Sequence, residues 1–199
     1  MTGLTRIVEW IPRPLLFATA ALIQVALIVV MVYDRVRVLR EGTEVTLPTR
    51  PVDPRDFLRG NYVVLSYDIS NVPAGELKDT PVSGKGTHVF VKLAPKADGS
   101  HEAVSVHRDP VAVTGGEVLI QGRVTGGANC GAVRRAYCDR LQVSYGIERY
   151  FVPEGEGREI EKARNQGKVS IVAAVTPTGR AAIKRLLIDG QPVYYEPLF

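Results

Sequence analysis

The sequence has few cysteines, little net charge and none of the best-marked catalytic motifs. Two cysteines in 199 residues cannot build a disulfide scaffold. The 25 basic and 21 acidic residues nearly balance along the chain, so a nucleic-acid partner is not indicated. CxxC, HExxH, the GxSxG elbow and a phosphate-binding glycine loop are missing. These absences exclude the commonest motif-marked zinc proteins, α/β-hydrolases and nucleotide-binding enzymes.

A long hydrophobic run near the N-terminus is the strongest signal in the chain. It extends from Pro14 to Tyr33, contains no charged residue, and has Gln24 as its single strongly polar side chain. About 20 apolar residues in a helix cross the hydrocarbon core of a bilayer, and lipid favours the helix because it satisfies its own backbone. We therefore predict an N-terminal tail over residues 1–13 and a transmembrane helix over residues 14–33.

Two alternatives to a permanent membrane anchor fit the run less well. A cleaved signal peptide has a shorter apolar core and a cleavage site of small residues, whereas the charged segment Asp34 to Arg37 follows this run at once. A helix in the core of a soluble domain is normally apolar on one side, whereas this run is apolar all round. The sequence thus favours a single-span anchor.

The orientation of the span depends on two signals that disagree. The arginines before and after the run are nearly equal in number, with a slight excess after it, which favours a cytoplasmic C-terminus. Cys130 and Cys138 lie in a short glycine-bearing stretch, where a disulfide would need an oxidising compartment. Two unrelated buried thiols are the alternative. We expect the disulfide, and hence an extracytoplasmic C-terminal domain at the bacterial inner membrane.

The rest of the chain has the pattern of a small antiparallel β-sandwich or barrel. Residues 34–50 carry mixed charges, and Pro48, Pro51 and Pro54 then disfavour regular helix, so we expect a helix extension that runs into a juxtamembrane linker. Residues 51–199 then form a β-rich domain of seven or eight strands with one short helix near 154–165. The expected strands are 62–67, 87–93, 103–107, 118–124, 141–147, 169–175 and 181–188. Asp189-Gly190 predicts a hairpin turn after the last of these.

Three stretches of the chain resemble a known family. Residues 60–67, reading GNYVVLSY, are similar to the signature of the GDYXXLXY proteins, and residues 51–59 match the segment before it. Residues 145–155, reading YGIERYFVPEG, resemble that family's second block, and residues 183–190 resemble its closing segment. The resemblance covers most of residues 45–190.

The resemblance implies a location and a kind of partner, but no reaction. The family is bacterial and membrane-associated, and its domain also occurs joined to polytopic membrane segments. It therefore implies a lipid bilayer and a polytopic membrane protein as partners. The candidate motif and binding residues are Asp53, Asp56, Gly60, Asn61, Tyr62, Leu65, Tyr67, Tyr145, Gly146, Glu148 and Glu154. Asn61 stands where the family motif has Asp, which puts in doubt any role that needs a carboxylate there.

The candidate catalytic groups are few. Lys92 lies on an expected strand somewhat like the one that carries the general-base lysine of type I signal peptidases, but no serine occurs between the apolar run and Gly60. Lys92 as an outward-facing strand residue is the simpler interpretation. Asp53 and Asp56 could act as an acid/base pair or bind a cation, although turn hydrogen bonds and arginine pairing explain them better. The glutamates from Glu148 onward have the pattern of a solvated helix face.

The tyrosine motif allows two interpretations. In a regular strand Tyr62 and Val64 share one face, and Leu65 and Tyr67 share the other, so both faces are apolar. This fits a buried central strand, and it also fits a strand that offers one aromatic face to a partner. We therefore predict from the sequence a noncatalytic subunit or assembly module that needs no cofactor or metal. A signal-peptidase-like hydrolase and an envelope ligand sensor are the alternatives.

Overall fold

Two α-helices and twelve short β-strands are found in the computed structural model, which describes residues 12–51, 62–73, 85–128, 140–151 and 157–195. The chain divides into a helical unit up to Arg37 and a larger unit from Val38 onward. The strands pair antiparallel throughout. The expected fold class, mainly β with an N-terminal apolar helix and one short helix, is confirmed.

Helix α1 extends from Arg13 to Glu41 and is long and apolar enough to cross a membrane. Its most apolar window has a mean hydropathy of 2.7, and none of that window is buried. The helix continues past the apolar run because no proline or glycine interrupts residues 34–41, and it ends at Gly42.

The segment of residues 34–50 agrees with the predicted helix extension in its first half and differs from the predicted linker in its second half. Residues 34–41 belong to α1, and strand β1 follows from Thr43 to Arg50. The strand forms because Val45 and Leu47 alternate with polar residues and are fully buried in the core. Pro48 is accommodated within this strand, opposite Ser170. The β-domain therefore begins closer to the helix than the predicted boundary at residue 51.

The remaining strands form two five-stranded sheets and one two-stranded ribbon. The bounds of β2 to β7 are Tyr62–Val64, Ser66–Tyr67, Asn71–Pro73, His88–Pro95, His101–His107 and Val118–Ala128. Those of β8 to β12 are Arg140–Ser144, Arg149–Phe151, Val169–Val175, Ala181–Ile188 and Gln191–Tyr195. The first sheet has the order β12-β11-β10-β1-β3, the second has the order β4-β8-β7-β5-β6, and the ribbon pairs β2 with β9.

Two hydrogen bonds between described residues connect the first sheet with the second. On one side, the backbone N–H of Thr46 in β1 donates to Nδ1 of His101 in β6 at 3.3 Å. On the other, the N–H of Gln121 in β7 donates to the carbonyl of Gly179 in the β10–β11 turn at 2.7 Å. Gly179 has φ +86°, and a Cβ there would lie 2.9 Å from the Gln121 nitrogen. A glycine is therefore needed at this seam.

Local sequence signals match several elements of the fold. Asp189 and Gly190 have φ values of 50° and 78°, the positive angles of a tight hairpin turn between β11 and β12. The expected short helix is α2, which the structure describes over Gly157–Asn165. The expected single strand over residues 62–67 breaks at Leu65 into β2 and β3, which join different sheets.

The last turn of α1 is docked on the outer face of the first sheet. Val38 and Leu39 are buried in a cluster with Ala182 of β11. A Cβ on Gly42 would lie 2.6 Å from the Val38 carbonyl oxygen and 2.9 Å from Cβ of Ala174. Small residues at these positions let the helix end and the sheet approach closely. Because of this close packing, strand β1 can begin directly after the helix ends.

We predict that Gly42→Ala destabilises the domain by about 1–3 kcal/mol, since the added Cβ meets backbone atoms that cannot move independently. Thermal unfolding monitored by circular dichroism measures the loss. The neighbouring exposed residue supplies the control, because Thr43→Ala should change stability by less than about 0.5 kcal/mol. Equal unfolding temperatures for Gly42→Ala and the wild type would contradict the close packing.

The His101 bond predicts a pH dependence of stability. Burial lowers the pKa of His101 from its ordinary value, and Nδ1 can accept the Thr46 N–H only in the neutral ring. At a pH between the ordinary pKa of about 6.5 and the lower pKa of His101 in the folded protein, this histidine is protonated more in the unfolded chain than in the folded one. The neutral His101 ring therefore contributes fully to the free energy of unfolding above the ordinary pKa. This contribution is lost as the pH falls through the pKa of His101 in the folded protein.

The variant His101→Asn keeps an uncharged acceptor that cannot be protonated. From about pH 7.5 to about pH 5, we expect the unfolding temperature to drop more in the wild type than in this variant. Parallel pH curves for the two proteins would show that His101 does not carry the effect.

Candidate functional site

Strands β2 and β9 bring the two family-like sequence blocks together. In the ribbon Tyr62 pairs with Phe151, and Val64 pairs with Arg149. The pairing continues one step further, because the N–H of Leu65 donates to the carbonyl of Glu148 at 2.8 Å. Blocks that lie about 80 residues apart in sequence thus form one structure, which we call the motif junction: residues 62–70 and 145–151.

Two buried tyrosines connect the blocks in opposite directions. The hydroxyl of Tyr67 in the first block donates to the carbonyl of Ile147 in the second. The hydroxyl of Tyr145 in the second block donates to the carbonyl of Ile69, just after the first, at 2.6 Å. Tyr67 is 0% exposed and Tyr145 is 7% exposed. Each ring therefore fills the core while its hydroxyl satisfies a backbone carbonyl.

Two glycines make room for this arrangement. A Cβ on Gly122 in β7 would lie 2.3 Å from Cγ1 of Val143 and 3.1 Å from the ring of Tyr145. Gly146 has φ +78°, and it allows the chain to turn after Tyr145. Within that turn, the carboxylate of Glu148 accepts the backbone N–H of Tyr145. Gly146 and Glu148, both predicted as site residues, thus shape the second block.

The electrostatics of the junction keep both tyrosines protonated. Burial raises the pKa of Tyr67 well above its ordinary value, and the negative charge of Glu148 raises it further. The pKa of Tyr145 is raised by the same two causes in the same order. Both phenols therefore remain hydrogen-bond donors at physiological pH. They are positioned as structural donors and not as acids or nucleophiles.

Arg164 is a buried charge at the junction that sequence reasoning missed. It lies on α2, is 2% exposed, and donates from Nη1 to the carbonyl of Val64 at 2.7 Å. Its Nε and Nη2 atoms donate to Oδ1 of Asn165 at 3.3 and 3.1 Å. Burial lowers the pKa of Arg164, while Glu161 opposes that shift. The charges along α2 have the pattern of a solvated helix face. Arg164 follows the buried Ile160 by four residues, and this spacing places both side chains on the inward face of the helix.

One face of the ribbon is exposed beside this network. Val63 and Tyr150, which are paired, point into the core. Val64 is 41% exposed and Phe151 is 75% exposed on the alternate positions. The exposed Arg149 lies between them in register with Val64. Leu65 and Tyr67 of the same motif are buried, as expected for a core strand, while the ribbon has one exposed side at Val64 and Phe151.

Several predicted residues cannot be placed at the junction. Asp53, Asp56, Gly60, Asn61, Glu154, Cys130 and Cys138 lie outside the described residues, and for Tyr62 only the backbone pairing is described. Among the residues that the structure describes, no group of three His, Cys, Asp or Glu side chains could hold a metal ion. The absence of a cofactor and the disulfide stay predictions.

Lys92, the weak catalytic candidate, is held in an ion pair. Its Nζ lies 2.9 Å from Oε2 of Glu117, and this hydrogen bond lowers the pKa of Glu117. Ser105 is opposite Lys92 in the β5–β6 register, but its hydroxyl lies 2.9 Å from Nε2 of His107. Both Ser105 and His107 are buried. In a Ser/Lys dyad the lysine contacts the serine hydroxyl, whereas here Lys92 contacts Glu117 and the Ser105 hydroxyl contacts His107.

We predict that Tyr67→Phe and Tyr145→Phe each lower the free energy of unfolding by about 1–3 kcal/mol, because each leaves a buried carbonyl without its donor. The exposed Tyr195 provides the control, and Tyr195→Phe should cost less than about 0.5 kcal/mol. Chemical denaturation measures all three. The double variant should deviate from additivity, since the tyrosines share one junction. Small and additive changes in the free energy of unfolding would show that the two tyrosine hydrogen bonds do not stabilise the junction together.

A comparison with protein families identifies the chain. A model of the GDYXXLXY protein family matches residues 24–186, which include both blocks of the motif junction and most of the β-domain. No curated protein and no solved structure matches the chain. The match covers far more than half of the sequence, and we conclude that the chain belongs to the GDYXXLXY family.

Proposed function

We propose that the protein is a membrane-anchored, noncatalytic subunit or assembly module that acts with a polytopic membrane protein in the bacterial envelope. The observation that carries this proposal is the use of the motif tyrosines. Tyr67 and Tyr145 are buried and donate to backbone carbonyls. The motif therefore builds a rigid support, and Val64 together with Phe151 exposes apolar side chains on one face of the ribbon.

The ribbon face has the chemistry of a protein-binding surface. Phe151 is a large aromatic side chain that is 75% exposed, and Val64 beside it is 41% exposed. Exposed apolar groups next to a charged residue such as Arg149 are typical of protein interfaces, where aromatic and arginine side chains contribute most of the binding energy. The strand pairing and Arg164 hold this face in place, so a partner would meet a preorganised surface.

The anchor and its location belong to the same proposal. Helix α1 would lie in the inner membrane, with the β-domain on the extracytoplasmic side. The length and hydropathy of α1 support the anchor. The orientation is supported by the cysteine spacing alone, through the predicted disulfide between Cys130 and Cys138. The hydrolase alternative is not favoured, because Lys92 is paired with Glu117.

The proposal predicts that Phe151→Ser abolishes binding of a polytopic membrane protein without unfolding the domain. The full chain is purified from native membranes in mild detergent, and its stoichiometric partners are identified by mass spectrometry. We expect a partner with the wild type, and at least a tenfold lower yield with Phe151→Ser, because truncating a central aromatic contact costs about 2 kcal/mol or more.

Tyr195→Ser is the matched control, since it removes an aromatic ring that is 64% exposed on β12, a different strand. This variant should retain the partner. Unchanged unfolding temperatures establish that both variants are folded. Isolation of the wild type without a stoichiometric partner, or equal loss with both variants, would count against the ribbon face as the binding surface.

A further inference from the structure

Gln24 is an unusual residue for its position. It lies midway along the apolar run from Pro14 to Tyr33, which contains no charged residue. If α1 is a membrane anchor, as the proposed function assumes, this primary amide lies near the centre of the hydrocarbon core. An amide is costly there without a hydrogen-bond partner, because no water is available to replace one.

The described part of the chain supplies no partner for the Gln24 side chain, which is exposed on the helix surface. Thr19, the other polar residue nearby, is satisfied within the helix, since its hydroxyl donates to the carbonyl of Leu15 at 2.8 Å. The contrast separates the two residues. The Thr19 hydroxyl is satisfied within α1, whereas the Gln24 amide has two donor hydrogens and an acceptor oxygen on an exposed side chain.

The helix surface around Gln24 allows another helix to approach closely. At 100° per residue, Ala20 and Ala21 lie one turn before Gln24 on the same face, and Leu27 and Ile28 lie one turn after it. Small residues beside a polar group favour helix pairing in membranes, because backbones can approach and side chains can hydrogen-bond across the interface. Ala26, by comparison, lies about 160° away from Gln24.

We propose that this face, defined by Ala20, Ala21, Gln24, Leu27 and Ile28, pairs α1 in parallel with α1 of a second copy of the chain. Identical chains inserted in one orientation place Gln24 at the same depth. A primary amide carries both donor and acceptor, so two Gln24 side chains satisfy each other across a two-fold axis. The face has no charge, and the symmetric contact therefore brings no like charges together.

The test is sedimentation equilibrium of the full chain in density-matched micelles over a range of protein-to-detergent ratios. We expect a dimer for the wild type. Gln24→Met preserves the side-chain length but removes the amide, and Ala20→Leu blocks close approach. Each should raise the dissociation constant by roughly 3- to 15-fold, the range of single contacts between membrane helices. Ala26→Leu, on the opposite face, should leave the constant unchanged.

Extraction of membranes with alkaline carbonate separates failure of this inference from failure of the proposed function. Release of the wild type would overturn the membrane anchor, and the helix pairing with it. Retention combined with a monomeric wild type would overturn the pairing alone. The pairing would also be overturned if Gln24→Met left the dimer intact, or if Ala26→Leu weakened it as much as Gln24→Met does. A Gln24-dependent complex with a different membrane protein, in the absence of self-association, would also overturn it.

Discussion

The reciprocal hydrogen bonds of Tyr67 and Tyr145 are the constraint on which the β-domain depends. A phenol removed from water must find an acceptor, and each of these two finds a carbonyl in or beside the other block of the motif junction. The bonds connect segments about 80 residues apart, and both aromatic rings belong to the hydrophobic core. The junction thus couples Leu65 and Tyr67 of the family signature to that core.

Two charged side chains at the junction are also hydrogen-bonded to the backbone. Arg164 approaches from α2 and satisfies the Val64 carbonyl at the outer edge of β2, and Glu148 closes the turn after Tyr145. Because buried charges are costly unless they are hydrogen-bonded, these contacts fix the position of the ribbon. Its alternation then follows: Val63 is directed to the core and Val64 to the exterior. Because Val63 is held in the core, the apolar side chain of Val64 is exposed on the opposite face of the ribbon.

Close packing at small residues fixes two contacts within the larger unit, one at Gly42 and one at Gly179. Gly42 and Ala174 leave no space for a further carbon atom, so the end of α1 is held against the first sheet. Gly179 has the same role at the seam with β7, where two backbones meet. In both places a side chain would separate elements whose contact closes the fold. Glycine therefore marks the positions of closest approach, which turn statistics alone do not identify.

Local patterns determined much of the architecture from the sequence. Hydropathy alone predicts α1, and short apolar runs bounded by turn residues predict β10 and β11 with their observed bounds, because each signal depends on residues close in sequence. The tertiary structure decided the break at Leu65, the partners of Tyr67 and Tyr145, and the conversion of residues 43–50 from linker to strand. It also decided the burial of Arg164, a charge that the helix pattern assigns to solvent. These features depend on pairing between distant segments, and that pairing has no local signature.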